Sequence, residues 1–194
     1  GNVAGLLIDD LHQQDFHTQD LLQWAACIGT RFNEVLLAVV TKVSIAKIKT
    51  HLNMVYKQGY IHRIADQQGG YAFNHDRIRQ AYYELLPRES ASQRHWVIGW
   101  ACTRNEDRVS SDPLPHFLSA LQDIPHPEML VGEKNIETII SLFFDGALSA
   151  KEKSANDIAL QYVQCAIHIE EAMRGDVNQL GSLLLLQGEL GYLT

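Results

Sequence analysis

The sequence predicts a mostly α protein with one short β-hairpin near residue 65. Three observations carry this. Apolar residues recur at i, i+3, i+4 and i+7 through most of the chain, as on one face of an amphipathic helix. Tyr71 and Phe73 alternate with smaller residues just after the turn-forming run Asp66-Gln67-Gln68-Gly69-Gly70. Beyond residue 87 no comparable strand signal occurs.

A first helix is expected over about Thr18 to Ile28, with Leu21, Leu22, Ala25 and Ile28 on one face and Gly29 ending it. A second covers about Asn33 to Val40, with Asn33 as N-cap. A third begins at Ser44, also an N-cap residue, presents Ile45, Ile48, Leu52 and Val55 on one side, and is closed by Gly59. Tyr60 to Ile64 reads as a strand, residues 66–70 as a turn, and Tyr71 to Phe73 as the return strand. Three helices followed by a two-stranded hairpin is the winged-helix arrangement. A fourth helix runs from Asp76 to Leu86, with Ile78, Ala81, Tyr82, Leu85 and Leu86 on one face, and Pro87 stops it.

The remainder reads as helices. One spans about Ala91 to Thr103 with Trp96, Trp100 and Cys102. A polar connector holding Asp107, Ser110, Ser111 and Asp112 leads to a short helix around His116 to Leu121, then a break at Pro125-His126-Pro127. Three longer helices follow, marked by Ile136, Ile139, Ile140, Phe143, Ala147 and Leu148; by Ile158, Ala159, Tyr162, Ala166 and Ile169; and by Val177, Leu180, Leu183, Leu184 and Leu190. Short connections suit stacked helical hairpins of the tetratricopeptide (TPR-like) kind, although no full 34-residue signature is present. The expected division is a winged-helix domain over 1–87 and a helical region over 88–194. The last helical pattern reaches Thr194 without a stop signal, which suggests a piece of a longer protein.

Composition narrows the function classes. With 194 residues, 46% hydrophobic and 20% charged, the chain has ordinary globular proportions. It can bury roughly 70% of its unfolded surface, so folding requires neither disulfide nor metal. A net charge of −7 argues against a chain that coats nucleic acid or anionic membrane. No run approaches 18 apolar residues, and Gly1 to Ile8 lacks a basic signal-peptide region. Cys27, Cys102 and Cys165 are far apart in apolar helical patterns, as buried free thiols in a reducing, cytoplasmic compartment would be.

The chemistry-bearing residues are few. Gly132-Glu133-Lys134 lacks the first glycine of a phosphate-cradling GxxxxGK[ST] loop, and Asn135 replaces its hydroxyl residue. His12 with His17, and His116 with His126, lack metal-ligand spacing and read as surface or loop residues. Asp9-Asp10 reads as a solvated pair at a helix start. Between Glu34 and Asp66 there is no acidic residue, while Lys42, Lys47, Lys49, Lys57 and Arg63 are present. On a winged helix this is the groove-facing helix and hairpin, where Lys47, Lys49 and, from the next helix, Arg77 would touch phosphate. Asn53 is the one base reader that stands out, which favours a solvated or inter-domain basic face over a DNA-reading one. His75 and Asp76 lie at a helix N-terminus, where free N–H groups and the dipole favour anions. Locally, the commoner arrangement is a cap from Asn74 or Asp76 with His75 packed nearby; the other is a histidine that helps hold a phosphate.

The segment Leu21-Leu22-Gln23-Trp24-Ala25-Ala26-Cys27-Ile28-Gly29-Thr30-Arg31-Phe32 resembles the LxLAACIGxxF stretch of the STAND signalling ATPases, in particular the predicted-ATPase module of multidomain serine/threonine-kinase and histidine-kinase hybrids. Phe73-Asn74-His75-Asp76-Arg77-Ile78-Arg79-Gln80-Ala81-Tyr82-Tyr83 is similar to that family's FxHDRVQQAAY stretch, and Leu85-Leu86-Pro87 before a helix with His95, Ile98 and Gly99 fits as well. The likeness covers about residues 6–104 well and the rest loosely. It implies a P-loop ATPase core upstream, binding ATP or ADP with Mg in the parent protein, and no cofactor in this chain itself. It implies that His75 senses nucleotide state by contacting the β-phosphate of ADP in a closed form, with Asp76 as its helix-start partner. Asn74 stands where plant relatives carry methionine. The expected partners are that ATPase core and signalling or other proteins docked on the helical array; nucleic acid and membrane are not expected. Two alternatives stay open: a DNA-binding winged-helix regulator, and a helical scaffold with no nucleotide link.

Overall fold

The computed structural model describes residues 14–104, 112–121, 127–173 and 177–191. Asp9, Asp10, His12, Asp107, Ser110, Ser111, Pro125 and His126 lie outside the described residues, as do the side chains of Val177 and Leu180. The described chain is mostly helical with one small antiparallel sheet. It divides into two compact units, one ending at His116 and one beginning at Phe117.

The first unit opens with α1 (Phe16–Ile28), which starts two residues earlier than the sequence suggests. Its N-cap is Asp15, whose carboxylate accepts from the Thr18 backbone N–H at 3.0 Å and from the Thr18 hydroxyl at 2.5 Å. The hydroxyl bond is the main reason Asp15 titrates below the usual carboxylate range. Then comes β1 (Arg31–Asn33), followed at once by α2 (Glu34–Thr41). Asn33 caps α2 as expected: its Oδ1 accepts from the Leu36 N–H at 2.6 Å. α3 (Ile45–Lys57), β2 (Ile61–Arg63) and β3 (Gly70–Phe73) complete this part.

The sheet order is β1-β3-β2, so a third strand joins the expected two-stranded hairpin. Phe32 pairs with Tyr71, and Ile61 with Phe73. The Phe32 and Tyr71 rings stack with centroids 6.0 Å apart. Gly69 makes this closure possible. Its φ of +74° is left-handed, and its carbonyl accepts from the Glu34 N–H at 3.0 Å, joining the hairpin turn to the first turn of α2.

The core of this part joins Leu22 and Ala25 of α1, Leu37 of α2, Leu52 of α3, Phe73 of β3 and Tyr82 of α4 (Asp76–Glu84). Ile48, Leu52 and Val55 are buried on α3 as expected, but Ile45, the first residue of the helix, is 39% exposed. Of the face expected on α4, Ile78 and Tyr82 are fully buried, and Ala81, Leu85 and Leu86 partly so.

The unit does not end at residue 87. α5 (Arg88–Thr103) begins directly after Pro87 and packs on α1 and α2. A second apolar cluster of Cys27, Leu36, Val40, Ile98, Ala101 and Cys102 fills that contact. Arg94 fastens it: Nη2 donates to Asp20 Oδ1 at 2.6 Å, and the guanidinium lies 4.7 Å over the Trp24 ring. The buried face of α5 carries His95, Ile98 and Cys102, while Trp96 and Trp100 are half-buried and meet edge to face.

α6 (Leu114–Leu121) spans the boundary between the units. In the second unit, a short α7 (Glu128–Val131) and a 3-10 turn (Glu133–Asn135), neither expected, lead into α8 (Ile136–Glu152). α9 (Asn156–Met173) packs on both α8 and α10 (Val177–Gly191). Ile136, Ile139, Ile140, Phe143 and Ala147 are buried on α8, and Ala159, Tyr162, Ala166 and Ile169 on α9. Three expected core residues face outward instead: Leu148, Ile158 at 47% exposure and Leu184 at 47%. Cys27, Cys102 and Cys165 are buried and form no disulfide, and burial pushes the Cys27 and Cys165 thiols up to about 12.

Gly69→Ala tests the hairpin closure. Its Cβ would sit 2.9 Å from the Glu34 side chain at a left-handed φ. The expected cost is about 1–2 kcal/mol, read as a lower denaturant midpoint with an unchanged slope.

Candidate functional site

Two residues join β3 to α4. β3 ends at Phe73, Asn74 and His75 follow, and α4 begins at Asp76. His75 is the N-cap, with φ −141° and ψ 141°. Neither Asn74 nor Asp76 caps α4 through its side chain, contrary to the commoner local expectation, because both are engaged elsewhere. Asn74 Nδ2 donates to the Gly59 carbonyl at 2.5 Å, and its Oδ1 accepts from His62 Nδ1 at 2.6 Å. The Asn74 N–H donates to the Tyr60 carbonyl at 3.0 Å. Asp76 pairs with Arg79 Nε at 2.9 Å, and Arg79 Nη1 reaches the Ala26 carbonyl in the last turn of α1 at 3.5 Å.

His75 is thus exposed between two anchored neighbours, and its imidazole makes no capping bond. The first helical turn leaves the Asp76 and Arg77 N–H groups without intrahelical acceptors. Arg77 is exposed on the same turn. Together these groups offer N–H donors and positive charge on one small surface.

The basic residues of α3 are less available than the sequence suggests. Lys49 Nζ lies 3.2 Å from Glu34 Oε1. Asn53 Oδ1 accepts from Arg63 Nη2 at 2.8 Å, and the Arg63 guanidinium lies 5.3 Å over the Tyr56 ring. Glu34, Lys49, Asn53 and Arg63 line a cleft of about 450 Å³ with residues of the hairpin turn. Lys47 lines a different cleft of about 560 Å³ with Lys42, Ser44, Asp20, His17 and His51. His51 Nδ1 lies 2.8 Å from Thr18 Oγ1. The Thr18 hydroxyl proton goes to Asp15, so His51 Nδ1 is the donor in this contact. Lys47, Lys49 and Arg77 therefore do not form one constellation: each belongs to a separate surface.

Sequence reasoning missed a polar chain inside the first unit. His116, read as a surface or loop residue, sits half-buried on α6, and its Nδ1 lies 3.1 Å from His95 Nδ1. His95 Nε2 lies 3.1 Å from the Tyr83 hydroxyl on α4. His95 is 7% exposed, and burial, reinforced by His116, pushes its imidazole down to about 4. Burial also lowers His116, partly opposed by Asp112. The spacing of 12 and 21 residues gives no local motif, so only the fold reveals the chain.

Among the described residues, no three His, Cys, Asp or Glu side chains gather to hold a metal, and no helix is long and apolar enough to cross a membrane. Compared with known proteins, the chain matches no family model, no curated protein and no solved structure.

Asn74→Ala removes both side-chain bonds that fix the approach to α4. The expected cost is about 1–2 kcal/mol, since each exposed bond is worth roughly 0.5–1.5. The backbone amides of His75 and Asp76 should exchange faster with solvent deuterium than in the unaltered chain.

Proposed function

We propose that the first unit is built around a winged-helix domain and that the chain is the regulatory and interaction region of a multidomain STAND-type signalling ATPase. The element order supports the domain reading: a helix, a strand, two helices and a hairpin, with the first strand added to the hairpin's sheet. The observation that carries the sensor reading is His75 itself. It is exposed at the N-cap of α4, free of capping duty, and held between two anchored neighbours.

In this reading an upstream P-loop domain binds ADP with Mg, and His75 donates to the β-phosphate in the closed state. Open N–H groups of α4 add donors, and the helix dipole favours the negative charge. Asp76 is a positioning residue, since Arg79 takes its carboxylate; Arg77 supplies nearby positive charge. Contacts made only in the closed state stabilise that state by their differential affinity. The helices α8, α9 and α10 are the TPR-like surface offered to a protein partner. The chain's role is regulatory rather than catalytic, and its setting is cytoplasmic.

A second reading has one observation in its favour. Ala46, Thr50, Asn53 and Lys57 form an exposed ridge of α3, on the side a groove-reading helix presents. Against it, Asn53 and Lys49 are already bound to Arg63 and Glu34.

In the full-length parent protein, His75→Ala is expected to speed ADP release about tenfold, the worth of one charge-assisted bond of roughly 1.4 kcal/mol, and to raise basal output. Unchanged ADP release together with unchanged output ends the sensor reading. Duplex DNA titrated against this chain at rising salt separates the alternative: tight binding with a steep salt slope supports a DNA-binding regulator, and weak binding at low salt supports the STAND reading.

A further inference from the structure

The side chains of Tyr83, His95 and His116 connect three successive helices through two hydrogen bonds, each 3.1 Å long. The His95 and His116 ring centroids are 5.4 Å apart. That separation is close to the Nδ1···Nδ1 distance plus the two ring radii, so the rings lie nearly end to end. Their Nδ1 lone pairs point at each other rather than converging on a third point, as two ligands of one metal ion do. The shared object is a proton.

Proton counting then fixes what the chain tolerates. With both imidazoles neutral, one N–H lies between them, and every bond is satisfied in either direction along the chain. One added proton is also accommodated, because a single imidazolium donates across the same gap. A second added proton puts an N–H on both Nδ1 atoms at 3.1 Å, with two like charges face to face.

We propose that Tyr83, His95 and His116 form an acid-operated latch that holds the first turn of α6 against α5 and opens when the histidine pair takes its second proton. The groups facing the pair are Tyr83 on α4, Asp112 ahead of α6 and, through Tyr83, Cys27 of α1 and Arg79 of α4. Asp112 favours a charged His116, and no described carboxylate offsets charge on His95. Because His95 titrates lower in the fold than its ordinary 6.5, the contact is at full strength above that pH and is lost as pH falls toward about 4.

Deuterium exchange on the intact chain between pH 7.5 and 4.5, corrected for intrinsic rates, tests the latch. The amides of Leu114 and His116 should lose protection by about tenfold or more, the factor of one pKa unit, while those of α3 keep theirs. His116→Gln, which keeps a hydrogen-bonding partner but takes no proton, should abolish the pH dependence at α6. Protection independent of pH in the unaltered chain, or an unchanged pH dependence in His116→Gln, overturns the proposal. Should that variant fail to fold, the imidazole ¹⁵N signals of the unaltered protein decide. Two separated, coupled titration steps support the latch, and two independent titrations near the ordinary histidine value overturn it.

Discussion

Burial of α1 is the constraint on which the first unit depends. The helix packs against α2, α3, α4 and α5, so it must be apolar around most of its circumference. Leu21 and Leu22 supply the bulk, each worth about 1.5–3 kcal/mol when withdrawn from water. Ala25 and Ala26 supply the opposite property, a small cross-section that lets neighbouring helices come near. The polar ends of α1 serve the same packing. Asp15 satisfies its first turn, Asp20 takes Arg94 from α5, and the Ala26 carbonyl receives Arg79 from α4.

This arrangement explains why the fold boundary lies beyond Pro87. A proline stops α4, and in sequence that stop reads as the end of a domain. In space it is only a corner. Leu36 and Val40 of α2 and Cys27 of α1 would be exposed without Ile98, Ala101 and Cys102 from the next helix. Residues 88–104 are therefore part of the first unit's solvent-excluding surface.

Most helices were legible because their apolar spacing exceeds two turns, long enough for the period to register. β1 was not. Arg31, Phe32 and Asn33 are too few to show alternation, and their partner strand lies about forty residues later, where only the folded chain brings it. The outward-facing Ile45, Ile158 and Leu184 show the converse limit, since an apolar residue in a helical pattern need not be covered by a neighbouring element. At the candidate site, the position of His75 at a helix start was legible from the strand-to-helix change of period. What holds it there was not. The Asn74 bonds to Gly59 and His62, and the pairing of Lys49 with Glu34, join residues 12 to 15 apart with no sequence signal of their own.

The sheet order has a consequence for association between chains. With β3 in the middle, β1 and β2 each carry one edge that is unpaired among the described residues, and each is three residues long. Exposed backbone donors and acceptors on an edge are a template for recruiting further strands, and proteins suppress this with short edges and charge. Both devices are present. β2 carries exposed His62 and Arg63, and β1 opens with exposed Arg31. A strand laid against either edge finds few ladder bonds and a cationic margin, so this small sheet is poorly suited to growing into a fibril by addition of further strands.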